Sequence, residues 1–179
     1  DVAGGNDTVN AGGGADSIVL GANFNAADHI DGGAGSDTIS LNGNYSSQLT
    51  VTGSMLSNVE NINVTAGNSY NLKFDNTYVP ASTTFINGSP LLAGTSLTVD
   101  ASATNAAFSI TGGAGNDTLT GGNGNDGFNG GAGNDTLSGG NGNDSFTFSN
   151  TFAAGDAVDG GAGSDTLTLN GDYSTQRTI

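Results

Sequence analysis

The 179-residue chain has no cysteine and no tryptophan, two prolines, one histidine and only two basic residues, Lys73 and Arg177. Without cysteine there is no disulfide framework, no thiolate metal site and no thiol nucleophile. This suits an extracellular bacterial protein held together by metal in place of disulfides. The lone His29 has no His or Cys partner for zinc and no catalytic role is expected of it, so it reads as a surface residue. Two cations against 17 acids give a net charge of −15. No basic patch is left to neutralise phosphates, which excludes nucleic acid as a partner. No apolar run approaches the length of a membrane-spanning helix, so membrane insertion is not expected. No segment reads as a convincing helix; Met55–Glu60 is at best one turn. Thirty-two glycines and a hydrophobic share of 34% would, without further pattern, describe a disordered chain.

The pattern is there, however. From Gly112 to Thr147 one nine-residue unit runs four times without a gap: GGAGNDTLT, GGNGNDGFN, GGAGNDTLS, GGNGNDSFT. Glycine at places one, two and four opens backbone conformations closed to other residues. A turn built that way can aim its carbonyls inward, and the sixth-place Asp adds an anionic oxygen. Carbonyls and carboxylates at short range suit Ca²⁺. The last three residues of each unit read as a short strand whose middle Leu or Phe faces away from its neighbours. One inward side chain per nine residues is a thin core, appropriate to a solenoid in which each coil packs on the next.

These units resemble the haemolysin-type calcium-binding repeat of the RTX family, G-G-x-G-x-D-x-U-x with U apolar. Single copies stand at Gly32–Ser40 and Gly160–Thr168, and degenerate ones at Val2–Asn10 and Ala11–Val19. The fold expected is all-β, a right-handed parallel β-roll or β-helix solenoid with stacked Ca²⁺ sites between glycine-rich turns. The sixth-place ligands are Asp7, Asp16, Asp37, Asp117, Asp126, Asp135, Asp144 and Asp165. The resemblance implies turn carbonyls as co-ligands: Gly112, Ala114 and Asn116; Gly121, Asn123 and Asn125; Gly130, Ala132 and Asn134; Gly139, Asn141 and Asn143. It also implies several calcium ions, type I secretion in an unfolded state, and folding outside the cell.

A longer period overlies the short one. Gly5–Val51 aligns without a gap on Gly133–Ile179, an offset of 128 residues, with 26 of 47 positions identical. We therefore read the chain as a window on a longer tandem array, with neighbouring repeats of the parent chain as partners. Asp28 and Asp31 recur in it as Asp156 and Asp159, each pair just ahead of an isolated GGAGSD turn. The 21-residue step from Asp16 to Asp37, like that from Asp144 to Asp165, marks a lengthened coil. Of these acids Asp31 and Asp159 are favoured as additional ligands that close the last site; loop solvation is the alternative.

Three segments follow: a partly degenerate calcium block over 1–40, a middle over 41–111 without nonapeptides, and a second calcium block over 112–179 that opens the next long repeat. In the middle, apolar residues alternate in short runs, such as Leu49 and Val51 or Leu72 and Phe74, at spacings slightly longer than nine. Alternation of this kind reads as half-buried strand. Wider calcium-free coils and a small inserted β-sandwich both satisfy it. Pro80 and Pro90 bracket the least regular stretch, which is expected to protrude as a loop.

Charge sets the mechanism. Adjacent coils lie about 4.8 Å apart, and two nonapeptides complete one coil, so Asp117 stacks near Asp135 and Asp126 near Asp144. Two carboxylates at that distance repel by about 3 kcal/mol at an effective dielectric near 20. An ion bound only by the folded coil, at a hundredfold excess over its Kd, contributes about 2.7 kcal/mol. Binding and folding should therefore be coupled.

The function expected is that of a non-enzymatic, calcium-folded spacer in a large secreted or cell-surface protein, adhesin-like or S-layer-like. One alternative is the export and folding module of a secreted toxin or hydrolase whose catalytic domain lies elsewhere. Another is a module whose 41–111 segment binds a glycan or another surface. Exposed solenoid ends also make end-to-end self-association an expectation. Repeated Asp pairs at coil period argue for scaffold over a glycosidase couple, and outward Thr residues are explained by β-propensity without an ice-binding role.

Overall fold

A computed structural model describes residues 4–173. The end of the second long repeat, including Arg177, lies outside the described residues.

Alternation of inward apolar and outward polar residues produces seventeen short strands and, among the described residues, no helix. Eight strands form one face: β2 (Ser17–Leu20), β4 (Thr38–Leu41), β7 (Asn61–Val64), β9 (Thr84–Asn87), β11 (Phe108–Thr111), β13 (Gly127–Asn129), β15 (Ser145–Phe148) and β17 (Thr166–Leu169). The opposite face is divided. A three-stranded sheet holds β1 (Thr8–Asn10), β3 (His29–Asp31) and β6 (Leu56–Ser57). A six-stranded sheet holds β5 (Tyr45–Val51), β8 (Tyr70–Phe74), β10 (Leu97–Asp100), β12 (Thr118–Thr120), β14 (Thr136–Ser138) and β16 (Ala157–Asp159). The strand pairs are parallel, and the chain alternates between faces, so the molecule is a β-solenoid of stacked coils. Met55–Glu60 forms no helical turn: Met55 ends a turn over 53–55, and Leu56–Ser57 are β6 itself.

Register places identical chemistry in columns. Ile18, Ile39, Ile62, Ile86, Ile110, Phe128, Phe146 and Leu167 are successive partners across the eight-stranded sheet. On the other face Leu72, Val99, Leu119, Leu137 and Val158 do the same. Except for Leu167, which is exposed in the end coil, these columns meet between the faces and form the core. Coil length follows the motif. Where nonapeptides are contiguous, Ser109 pairs with Gly127 and Gly127 with Ser145, each 18 residues on.

The middle coils are longer: Thr38 pairs with Asn61, and Thr84 with Phe108. β7, β9 and β11 nevertheless sit in the same sheet as the motif strands. Their extra residues bring bulk inward. Tyr70, Phe74, Tyr78 and Phe108 are buried, and the Phe74 ring lies 5.0 Å from those of Tyr78 and Phe108. Burial pushes the Tyr78 hydroxyl up to about 12 while it hydrogen-bonds Thr84 Oγ1 at 3.0 Å.

Candidate metal centre: a ladder of buried carboxylates

Each sixth-place Asp stands immediately before a strand, at the end of a glycine turn. The turn is tight enough to fold the side chain back under the coil, and Asp37, Asp117, Asp126, Asp135 and Asp144 are buried. Their Oδ1 atoms accept backbone N–H groups from the preceding coil. Asp117 donates to Asp135 at 2.9 Å, Asp126 to Asp144 at 2.7 Å, Asp144 to Asp165 at 2.9 Å and Asp16 to Asp37 at 2.8 Å. Leu97 and Phe108 close the second block by donating to Asp117 and Asp126, both at 2.7 Å. The stacked-acid arrangement is thus a directed ladder, amide to carboxylate, one rung per coil.

The second oxygen divides the sites. In the coil at 112–129, Gly113 donates to Asp117 Oδ2 at 2.7 Å and Gly122 to Asp126 Oδ2 at 2.9 Å. Both carboxylates are fully hydrogen-bonded. In the next coil Gly131 and Gly140 adopt left-handed φ values of 92° and 100°, and Gly133 and Gly142 are left-handed too. Oδ2 of Asp135 and of Asp144 is then buried with no hydrogen-bond partner. The same holds for Asp7, Asp16 and Asp37, whose turns also carry left-handed glycines. A buried carboxylate oxygen without a partner is costly, so these five atoms ask for a cation or a proton.

Electrostatics agree. Burial is the main reason that the carboxyls of Asp117, Asp126 and Asp144 lie above the ordinary carboxylate range. Asp135 is pushed up to about 6 by burial, against the Asp117 amide bond, with the Asp117 and Asp156 charges adding to the rise.

The first glycine of each motif forms the floor. A Cβ on Gly112 would collide with Asp117 Oδ2 and the Gly130 carbonyl oxygen. One on Gly121 would meet Asp126 Oδ2 and the Gly139 carbonyl, and one on Gly139 would meet Asp144 Oδ2 and the Gly160 carbonyl. Carboxylate and carbonyl oxygens therefore converge at Gly112, Gly121 and Gly139. Among the described residues no three His, Cys, Asp or Glu side chains come together as a metal cage. The oxygens that the turns place beside these carboxylates are backbone carbonyls. Such a hard, all-oxygen donor set fits calcium.

The family profile of the RTX calcium-binding nonapeptide repeat matches in four copies, at residues 3–26, 25–44, 111–146 and 152–172, together more than half of the chain. The chain belongs to the RTX calcium-binding repeat family. Repeats of this family bind calcium. Comparison with curated proteins and with solved structures gave no match.

Within this RTX solenoid the acids of the lengthened coils fall into two groups. Asp28 and Asp156 occupy rungs: Asp7 donates to Asp28 Oδ1 at 2.9 Å and Asp135 to Asp156 Oδ1 at 2.8 Å. Their Oδ2 atoms take loop amides, Asn25 at 2.9 Å and Ala153 at 2.7 Å. The favoured Asp31 and Asp159 lie off the ladder and accept from Gly33 and Gly161, each at 3.1 Å. A hydrogen bond from Asn58 holds the Asp31 carboxyl low. The signal for Asp28 was its 21-residue distance from Asp7, the same step that separates Asp16 from Asp37.

Glu60 was missed altogether. It extends the first block, taking the Asp37 N–H on Oε2 at 2.8 Å. Nothing in its local sequence carries the motif.

The fifth-place asparagines act through their side chains. Asn116 Oδ1 accepts the Asn134 N–H at 2.9 Å and Asn125 Oδ1 that of Asn143 at 2.8 Å. Third-place Asn141 donates its amide to Asn123 at 2.6 Å, and Asn123 to Asn105 at 2.8 Å. Third-place backbone N–H groups bond across coils as well, Ala132 to the Gly113 carbonyl at 2.9 Å and Asn141 to that of Gly122 at 2.8 Å. His29 lies on the solvent side of β3 with Nδ1 2.5 Å from the Ser54 carbonyl oxygen, away from the ladder.

Proposed function

We propose that this segment is a calcium-folded structural spacer of a large secreted or cell-surface protein, exported unfolded by type I secretion and without catalytic activity of its own. The observation that carries the reading is the set of five partnerless carboxylate oxygens, all at sixth-place aspartates and all in turns with left-handed glycines. Asp37, Asp135 and Asp144 each turn one oxygen toward the preceding coil, and all five, Asp7 and Asp16 included, leave Oδ2 for a cation. Turn carbonyls, that of Gly160 beside Asp144 among them, complete the oxygen set. When bound, calcium neutralises the column of charge and couples neighbouring turns.

In low calcium the column repels itself and the coils open; at extracellular calcium, typically matched by sites of about 10⁻⁴–10⁻³ M, they close. Far-ultraviolet circular dichroism during calcium titration tests the proposal. The β signal should grow cooperatively with calcium and collapse on chelation with EGTA. Equal order before and after exhaustive chelation would falsify it.

A further inference from the structure

We infer that the outward face of the eight-stranded sheet binds a neutral, extended polysaccharide. Register aligns two outward rows on this face. Ser17, Thr38, Asn61, Phe85, Ser109, Gly127, Ser145 and Thr166 are successive partners in one. The other row begins at Val19 and Ser40 and ends at Thr147 and Thr168. Neither carries an ionisable side chain from β2 to β17, although the chain has a net charge of −15. The charged side chains of the strands lie on the opposite side, where Lys73 pairs with Asp100 at 2.7 Å and Asp159 ends β16. An uncharged strip of hydroxyls and amides on a strongly acidic molecule complements an uncharged polymer and repels an anionic one.

Away from exposed Val19 at the edge, two features break the uniformity of the strip. Phe85 is 49% exposed at its centre, where every other position of its row is small or polar. An exposed ring flanked by Asn61 and Ser109 offers the apolar surface on which the face of a sugar stacks. Two strands further on, Gly127 leaves a depression of about 280 Å³, walled by Ser109, Thr111, Asn129, Ser145 and Thr147. Packing does not demand glycine there. A Cβ would meet nothing closer than 3.8 Å, so the site has room for one. Glycine within a strand marks a place where something approaches the backbone closely. The rows run across the strands at about 4.8 Å per step, close to the length of one pyranose ring, so an extended chain can present one ring to each strand.

The test is retention of the calcium-loaded protein on neutral matrices, cellulose, xylan and mannan, with alginate as the anionic control and ice-crystal shaping as a second readout. Circular dichroism confirms folding of every sample. The wild type should bind at least one neutral matrix and not alginate. Phe85→Ala and Gly127→Lys should each weaken that binding by about tenfold or more, about 1.4 kcal/mol. Thr118→Lys, on the opposite face, should leave it unchanged. The inference is overturned if the folded wild type binds no neutral matrix, binds alginate equally, shapes ice without binding glycan, or binds undiminished in both face variants. These outcomes leave the calcium proposal standing, because folding is read separately.

Discussion

At Asp135 the ladder and the cation demand different things of one carboxylate. Oδ1 satisfies the Asp117 amide, and Oδ2 is buried and open. Asp135→Asn keeps an acceptor for that amide but removes the charge. We expect the calcium midpoint to rise by about tenfold, a loss of about 1.4 kcal/mol, with no loss of stability in chelator. Paired titrations with and without EGTA check both arms, and His29→Ala should leave the midpoint where it was. Protons compete for the same oxygen. The raised Asp135 carboxyl favours the protonated folded state, so the metal-free fold gains stability as pH falls from about 6 toward the ordinary value of 3.8, and loses it as pH rises. Calcium affinity should move the opposite way and weaken below pH 6. Denaturant melts in EGTA and calcium titrations across that range would reveal either sign as wrong. Gly130→Ala drives a methyl group toward Asp135 Oδ2. Overpacking of this kind costs about 1–3 kcal/mol, measurable as a lowered Tm in calcium.

Individual coils are of two kinds. The 18-residue coil holds little more than Leu119 and Phe128 inside, and the next holds Leu137 and Phe146. Stacking of the Phe128 and Phe146 rings at 5.1 Å joins them. Phe128→Ala should therefore cost about 3–5 kcal/mol and lower the cooperativity of calcium-induced folding, seen as a shallower titration. The wide coils of the middle lack ladder carboxylates between Glu60 and Asp117 and bury Tyr70, Phe74, Tyr78, Leu91 and Phe108 instead. Their stability comes from apolar area, not from cations. In chelator, hydrogen exchange should show residual protection in β8–β11 after the amides of β12–β15 have become unprotected; uniform loss along the chain would contradict this division. The nine-residue period announced the narrow coils directly, because each place in the motif has one backbone duty. The middle was open between solenoid and sandwich because alternating strands look alike in both, and strand pairing over 20 or more residues has no local mark.

At the scale of the whole molecule the charge of −15 is not spread evenly. Eight sixth-place aspartates, with Asp28, Asp156 and Glu60, line up in columns along the turns, buried at Asp28, Asp37, Asp117, Asp126, Asp135 and Asp144 and exposed at Asp165 in the end coil, while the broad eight-stranded face is uncharged. Folding without cations therefore concentrates like charge, and folding with them relieves it. Monovalent salt screens over about 8–10 Å but cannot bridge an oxygen to a buried carboxylate, so replacing calcium with sodium at equal ionic strength should not restore the β signal.

The sequence by itself determined the period, the turn chemistry, the inward side chain of each strand and the identity of the sixth-place aspartates. All of these are properties of a nine-residue unit acting on its own backbone. Tertiary structure decided the rest. It set Asp28, Asp156 and Glu60 on the ladder and Asp31 and Asp159 off it. It left Asp117 and Asp126 fully hydrogen-bonded while opening one oxygen on Asp135 and Asp144, and it gathered the uncharged residues of eight distant strands into one surface. Those outcomes depend on which coil lies above and below, and that neighbour is 18 to 27 residues away in the chain.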